Sequence, residues 1–373
     1  MSSPEKIRVA YVIGGLPFGG VENWLYDLGL AFQDDPDVEA HIVNVSGTGR
    51  KTREFFDAGL HVVCTADSKK VLKTQRLSTA SNVRKELVRI RPHIVHTLQF
   101  SGDYFGRLAA WGLGVPVITH IRNVKSERKL HRRLINKLLS FRTDLYLSVS
   151  KAALETIRRE HNLARRPMQV LYNAVDPSKL DVPAHDLQAL FGLDGPVILG
   201  VGRLVEQKNF DKLLRAFALV LKDIPDAGLV ILGDGPLRND LEQLKSQLGL
   251  DGRAVLAGYR PNSEVPRFLR AASLLAMPSD YEGLPVTHVE AMFCGLPAVI
   301  SEHVPSIEIA SECSLVCTTE PESIAARLVE LLSNPSRCTE MSVSAKRLAE
   351  NYTMTRYVAR LKDIYRTLLG EGS

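Results

Sequence analysis

Apolar runs of strand length, each followed by an amphipathic helical stretch, recur from one end of this sequence to the other. In the first half the strand candidates are Ile7–Ile13, Ala40–Val45, Leu60–Cys64, Ile94–Thr97, Val115–His120, Leu145–Val149 and Gln169–Leu171. In the second half they are Val197–Val201, Gly228–Leu232, Ala254–Ala257, Leu274–Met277, Ala298–Ile300 and Leu315–Cys317. Helical periodicity fills the gaps, as in "KNFDKLLRAF", where Phe210, Leu213, Leu214 and Phe217 fall on one face. Continuous apolar strands separated by helices imply parallel sheets covered on both sides. The pattern restarts near residue 196, after "DPSKLDVPAHDLQALFGLDGP", a stretch with three prolines and weak periodicity that reads as a linker. A chain of 373 residues suits two domains better than one core. The expectation is therefore α/β, with two doubly wound domains whose ligands bind where the strands end.

Composition narrows the class. At 45% hydrophobic and 24% charged residues, the chain reads as a soluble globular protein. No stretch approaches the roughly 20 apolar residues of a spanning helix. The run Val9–Ile13 flows into a glycine loop without a cleavage site, so it reads as a first buried strand and not as a signal peptide. The five cysteines, Cys64, Cys294, Cys313, Cys317 and Cys338, form no zinc-ligand pattern and read as small buried hydrophobes in a reducing cytosol. The net charge of +5 is uneven. Residues 122–142, "RNVKSERKLHRRLINKLLSFR", set eight Lys and Arg against the single acid Glu127, with Leu130, Leu134, Leu138 and Phe141 at helical spacing. This basic amphipathic helix fits either an anionic membrane surface or a core-packed helix with a solvated face. No zinc-finger or RNA-binding motif accompanies it, so nucleic acid is not an expected partner.

Polar residues just after strands carry the chemistry. Gly14, Gly15, Gly19 and Gly20 follow the first strand and precede a helix, an arrangement that suits either anion contact or a plain turn. His120 ends the fifth strand candidate, in a structural or a functional role. Arg203 follows one strand and Lys208 precedes one helix; two fixed cations there suit a diphosphate, the alternative being surface charge. Gly233 lies in the turn "GDGP", and Tyr259 and Arg260 follow the next strand, where a base could stack. In "DYEGLPVTHVEAMFCGLPAVI", Glu282 lies before a turn and Glu290 on the helix after it. With Val286, Val289 and Phe293 inward, Glu290 is expected to be partly buried, and a carboxylate there needs partners such as two sugar hydroxyls.

The order of these motifs resembles a GT-B glycosyltransferase of the retaining family four type. It runs glycine loop, strand-end histidine, "YNAVDPSKL", "VGRLVEQKNFDKLLRAF", "LGDGPLRNDLEQL", "AGYRP" and the two-glutamate block, and is strongest from Leu171 to Ser301. The resemblance implies two Rossmann-like domains facing a central cleft: residues 1–180 on the acceptor side and 181–355 binding the nucleotide sugar. A C-terminal helix, residues 356–373, would pack back across both. It also implies roles. Arg203 and Lys208 would hold the nucleotide diphosphate, Glu290 the ribose hydroxyls and Glu282 the donor sugar's hydroxyls. His120 would sit beside the transferring sugar, and Gly19 and Gly20 would approach the phosphates. Family members often read E-G-F-G where this chain reads "EGLP", so Pro285 removes one N–H donor and leaves the amides of Gly283, Leu284 and Val286.

The implied reaction moves a hexose-type sugar from a nucleotide diphosphate sugar, uridine before guanosine, to a glycan or lipid-linked acceptor with retention. The lone Asp-x-Asp, Asp35-Pro36-Asp37, leads into a strand and reads as a solvated turn, so no metal and no other cofactor is expected. The expected location is cytoplasmic, either free or peripheral on the inner face of the cell membrane through 122–142. Two other readings fit the same architecture: a nucleotide-sugar 2-epimerase and a non-catalytic nucleotide-sugar-binding partner.

Overall fold

A computed structural model of the chain describes residues 6–17, 19–74, 77–122, 130–160 and 166–371. It divides into two compact units, Met1–Tyr172 with Met354–Ser373, and Asn173–Thr353. Every apolar run singled out above forms a strand. The first unit holds β1 (Ile7–Ile13), β2 (Val38–Asn44), β3 (His61–Cys64), β4 (Ile94–Leu98), β5 (Val117–Ile121), β6 (Leu145–Ser148) and β7 (Met168–Val170). The second holds β8 (Val197–Val201), β9 (Gly228–Leu232), β10 (Ala254–Gly258), β11 (Leu274–Met277), β12 (Ala298–Ser301) and β13 (Ser314–Cys317). The sheet orders are β3-β2-β1-β4-β5-β6-β7 and β10-β9-β8-β11-β12-β13. All pairings are parallel. Each sheet winds outward from β1 or β8, then returns to the other side of it. The strand order therefore reverses between β1 and β4, and again between β8 and β11, and each reversal opens a crevice at the strand ends.

Packing follows the sequence pattern. On the Phe210–Asp223 helix the expected inward residues Phe210, Leu213, Leu214 and Phe217 are all buried, joined by Ala216 and Val220. Four buried large side chains are worth roughly 6–12 kcal/mol before entropy is charged, far more than helix propensity contributes. On the Gln99–Ala109 helix, Gly102 and Gly106 face β1. A Cβ at 102 would overlap the Val12 carbonyl oxygen, and one at 106 would meet the Thr97 methyl at 2.6 Å.

At the level of the fold the structure departs from the sequence reading at the linker, at the Asp35–Asp37 turn and at the cysteines. The segment 176–196 is not a loose linker but part of the second unit. Asp186 caps the short Leu187–Phe191 helix, and Leu187 and Leu193 join the core around Phe268. Asp35 and Asp37 are not a solvated turn: Lys362 on the Met354–Leu369 helix reaches Asp35 at 3.0 Å and Asp37 at 2.5 Å, and Arg366 adds a second bond to Asp37. These pairs tie that helix to the first unit. Of the cysteines, only Cys313 and Cys317 are buried, while Cys64 is exposed. Among the described residues no cluster has the makings of a metal site, and no helix is long and apolar enough to cross a membrane.

Candidate active site

In the second unit, β8 and β11 are hydrogen-bonded neighbours at the reversal point, so the loops that follow them lie side by side. Side chains and backbone cross-link the two loops. Gln207 donates from Nε2 to the Tyr281 carbonyl at 2.7 Å and accepts the Asp280 N–H at its own carbonyl at 2.9 Å. Asn209 donates from Nδ2 to the Pro278 carbonyl and to Asp280 Oδ1. Asn209 holds this position in the left-handed region, at φ 52°, where an asparagine costs less than most residues. The cross-links place Lys208 Nζ 2.5 Å from Glu282 Oε1, both side chains mostly covered. Two of the expected site residues, 74 positions apart, are therefore in direct contact.

Arg203 lies at the end of the same loop that carries Lys208. Its backbone neighbours are fixed: the Gly202 N–H bonds the Leu232 carbonyl, and the Leu204 N–H bonds the Asp234 carbonyl. Its guanidinium is exposed and has no hydrogen-bond partner among the described residues. Glu290 is half-buried on the Val286–Phe293 helix, and the inward face of that helix is His288, Val289, Ala291 and Met292. Val286 and Phe293, expected inward, are only half-buried, because the short helix turns its middle and not its ends to the core. Before this helix the N–H groups of Gly283, Leu284 and Val286 donate to nothing among the described residues. Asn173 fixes that turn by donating to the Leu284 carbonyl at 2.6 Å. Three open amides, an ammonium and a guanidinium at one sheet edge can hold a polyanion, and the carboxylates of Glu282, at the ammonium, and of Glu290, on the helix that follows, can accept hydroxyls.

The other residues expected on the donor side, Gly233, Tyr259 and Arg260, lie further along. Gly233 spends its N–H on the Gly258 carbonyl and packs backbone to backbone against Gly202. Tyr259 is 53% exposed just after β10, two strands from β8. Arg260 lies over the Phe268 ring and 3.9 Å from Glu264.

In the first unit, His120 lies near the end of β5 and lines a 320 Å³ cavity together with Asp103, Arg122, Arg132, Asn136 and Tyr146. The ring is wholly buried, edge-on to Trp24, with His96 Nε2 3.1 Å from its Nδ1. Burial, with the Arg122 charge adding to it, holds His120 well below the ordinary imidazole value. Arg122 stacks on Trp24 with Cζ 3.8 Å from the ring centroid, and Arg132 stacks on Phe100 at 4.3 Å. Burial lowers Arg122 to about 10, which leaves it charged at neutral pH. The buried Arg107 donates to the Asp103 carbonyl and to Asn136 Oδ1, holding both residues at the cavity wall. At Gly19 and Gly20 the helix start already carries an acid: Glu22 is 3% exposed, and a Cβ at Gly19 would meet its carboxylate. Gln99, at φ 63°, donates to Glu22 at 2.5 Å, and burial raises the Glu22 pKa.

The basic helix is described only in part, since Lys125, Glu127, Arg128 and Lys129 lie outside the described residues. On the Leu130–Leu139 helix the leucine stripe faces outward. Leu130, Leu134, Leu138 and Phe141 are all exposed, with Trp111 beside Phe141, while Asn136 and Leu139 face in. The core-packed reading of that stripe does not hold.

Sequence reasoning missed Gln207, Asn209 and Asp280, which hold the Lys208–Glu282 contact, and His96, Trp24 and Gln99, which surround His120. "QKNF" carried a signal, an asparagine directly before a helical run. His96 carried none, because it reads as one more residue of an apolar strand.

Comparison with known proteins agrees with this layout. The description Glycosyltransferase Family 4 matches residues 18–179, and Glycosyl transferases group 1 matches residues 184–348. The chain is 30% identical over 210 residues to a 2-deoxystreptamine glucosyltransferase of Streptomyces kanamyceticus, covering 55% of this chain and 51% of that protein. It is 31% identical over 186 residues to a GDP-mannose-dependent alpha-(1-6)-phosphatidylinositol monomannoside mannosyltransferase of Mycolicibacterium smegmatis, covering 47% and 49%. It is 31% identical over 224 residues to the UDP-Gal:alpha-D-GlcNAc-diphosphoundecaprenol alpha-1,3-galactosyltransferase of Escherichia coli, covering 56% and 57%. The matched stretches thus span about half the length of these relatives. Among solved structures, Anabaena HepE in complex with UDP and glucose aligns over 97% of this chain and 100% of its own, with a TM-score of 0.83 and 16% identity. Sucrose-phosphate synthase from Thermosynechococcus elongatus aligns over 98% and 100%, with a TM-score of 0.84 and 17% identity. At such identity the likeness is one of fold, and the fold is GT-B. Two parallel, doubly wound units with this fold, each matched by its own family description, show that the chain belongs to the group 1 glycosyl transferases of glycosyltransferase family 4.

Proposed function

We propose that this protein transfers a hexose-type sugar from a nucleotide diphosphate sugar to a glycan or lipid-linked acceptor, with retention and without a metal. The observation that carries the reading is the Lys208–Glu282 contact at the β8/β11 reversal, with the Arg203 guanidinium and three open amides at the same edge. Breaking the anomeric C–O bond leaves new negative charge on the diphosphate, and the sugar passes through an oxocarbenium-like state. Fixed cations and amides aimed at that charge stabilise it without reorganising. In this reading Arg203 and Lys208 hold the diphosphate. Gly283, Leu284 and Val286 contribute amides, Glu290 takes the ribose hydroxyls, and Glu282 takes the hydroxyls of the donor sugar. Gly233, Tyr259 and Arg260 border the base.

The relatives' names include both UDP-Gal and GDP-mannose users; UDP is the favoured carrier here and GDP its competitor. An outward row of Leu130, Leu134, Leu138 and Phe141 beside Arg133, Lys137 and Arg142 suits an anionic membrane face, where a lipid-linked acceptor would lie. Liposome flotation tests this: Leu134→Ser with Leu138→Ser should lose binding to anionic vesicles, and undiminished binding would rule out that docking face. Purified protein, screened by thermal shift against nucleotide diphosphate sugars and then assayed for nucleotide release with and without acceptor, tests the reaction itself. Acceptor-dependent release that survives EDTA is expected. Release that needs manganese, or conversion of the donor alone to its 2-epimer, would overturn the proposal.

A further inference from the structure

The Leu130–Leu139 helix turns two faces to two different surroundings. Leu130, Leu134 and Leu138 point outward, while Arg132 and Asn136, on the opposite side, line the 320 Å³ cavity with Asp103, His120, Arg122 and Tyr146. Each cavity arginine is stacked on an aromatic ring, Arg122 on Trp24 and Arg132 on Phe100. Stacking fixes the plane of a guanidinium, so the direction of its N–H fork is set in advance. Asn136 is fixed as well. Arg107 can only donate, so the Asn136 atom it meets is the carbonyl oxygen, and the amide NH2 is the end turned away from Arg107.

The charges at this cavity lean positive. Among the described residues the lining carries two guanidiniums, Arg122 and Arg132, and one carboxylate, Asp103. Arg107, wholly buried, lies against Asp103 and Asn136, and Arg166 adds its charge near Tyr146. The Asp103 carboxylate already accepts from Thr97 Oγ1 at 2.6 Å. Glu22, the other acid whose charge reaches Arg122, is shared with Lys51. Surplus positive charge in covered surroundings is costly until a counter-charge arrives. His120 adds an unmet polar atom to the same lining. Its Nδ1 faces His96 Nε2, and His96 Nδ1 in turn meets Tyr365 Oη, whereas His120 Nε2 is buried with no hydrogen-bond partner among the described residues.

We infer that this cavity is a phosphate site, in which Arg122, Arg132 and the Asn136 amide hold the phosphate group of a phosphorylated acceptor. A carboxylate is met by one guanidinium fork in its own plane. Forks brought from the end of β5 and from the Leu130–Leu139 helix suit the tetrahedral oxygens of phosphate instead. That a phosphate is held here rests on the cavity alone, whereas its belonging to an acceptor rests on the transferase reading.

Urea unfolding in the presence of inorganic phosphate tests this. A ligand of the folded state multiplies the folding equilibrium by 1 + [L]/Kd, so phosphate at ten times its Kd should favour folding about elevenfold. Tryptophan fluorescence reads the first unit, which holds both Trp24 and Trp111. As phosphate is raised at constant ionic strength, the midpoint should climb further in wild type than in Arg132→Gln, whose own rise measures the general effect of phosphate salts. The Kd should be roughly 10- to 150-fold weaker in Arg132→Gln, the loss of a hydrogen bond between charged groups. Arg132→Lys, which keeps the charge and loses the fork, should also weaken binding and serves if the glutamine variant does not fold. The Arg132-dependent rise should survive Lys208→Ala, which separates this cavity from the β8/β11 edge. Glucose 6-phosphate and a short-chain phosphatidic acid, used as probes in turn, tell a soluble acceptor from a lipid-borne one by which gives that rise at the lower concentration. A midpoint that responds equally in wild type and in the folded Arg132 variant, for all three probes, would overturn the inference. So would a rise lost in Lys208→Ala and kept in the Arg132 variant. Failure of the transferase reading would show instead as absent nucleotide release with the Arg132-dependent rise intact.

Discussion

Lowering the pH from 8 to 5.5 should destabilise this protein by several kcal/mol, through histidines and not through carboxylates. His96, His120 and His288 are each 0% exposed. Burial brings His96 down to about 3 and His288 to about 4, and burial with nearby Arg122 and His96 charges puts His120 well below its ordinary 6.5. The folded-state value lies below the unfolded one for all three, so the unfolded chain takes up protons first. Stability is therefore full above pH 6.5 and falls as the pH drops toward the folded values. Near pH 5.5 the folded His96 and His288 rings stay neutral and His120 is held well below its ordinary value, so the loss is set mainly by the unfolded value: about 1 kcal/mol for each histidine. The first unit, with His96 and His120, should lose about 2–3 kcal/mol and the second, with His288, about 1 kcal/mol. Glu22 opposes this. Its raised pKa gives stability that is present at low pH and lost as pH rises, so the net fall in the first unit is smaller than the sum. Trp24 and Trp111, the chain's two tryptophans, both lie in the first unit, so their fluorescence follows that unit while circular dichroism follows both. With a urea slope of about 2 kcal/mol per molar, the fluorescence midpoint should drop by about 1 M between pH 8 and 5.5. His96→Gln should remove roughly half of that drop. A midpoint independent of pH across this window would refute the account of neutral buried rings.

Two further perturbations probe the scaffold. Lys362→Ala should loosen the Met354–Leu369 helix by about 1 kcal/mol, because Asp35 and Asp37 lose a shared, mostly covered ammonium. The Asp37 carboxyl is held below its ordinary value by Lys362, so this contribution is present above pH 4 and lost as pH falls through the folded value; hydrogen exchange in that helix reads both effects. Gly233→Ala should cost about 2 kcal/mol or more, since φ is 141° there and a Cβ would overlap the Gly202 carbonyl. Thermal melts of the variant without ligand show whether the loss is one of folding.

The fold was largely legible because parallel sheets buried on both faces leave continuous apolar runs, and each such run became a strand. Lys208 and Glu282 were legible as polar residues placed just after strands, which is where doubly wound sheets bind ligands. Their contact was not, because it depends on Gln207 and Asn209 clamping a loop about 70 residues away, and loop-to-loop hydrogen bonds leave no periodicity. The leucines of the basic helix misled one reading: helical spacing shows that they share a face, not which way the face points. His96 and Tyr365 were invisible for a related reason, since buried polar residues on core elements look like any other interior position until their partners are known.

Turnover of purified Lys208→Ala and Arg203→Ala, measured with the preferred donor and acceptor against wild type, bears most directly on the central claim. Arg203→Ala should keep the wild-type urea midpoint and Lys208→Ala, which leaves Glu282 unpaired, should lose only about 1 kcal/mol of stability, yet each should lose a hundredfold or more in kcat, the effect of removing one preorganised charge of about 3–4 kcal/mol from a leaving group. Near-wild-type turnover in either folded variant would contradict the assignment of this edge as the site that holds the departing diphosphate.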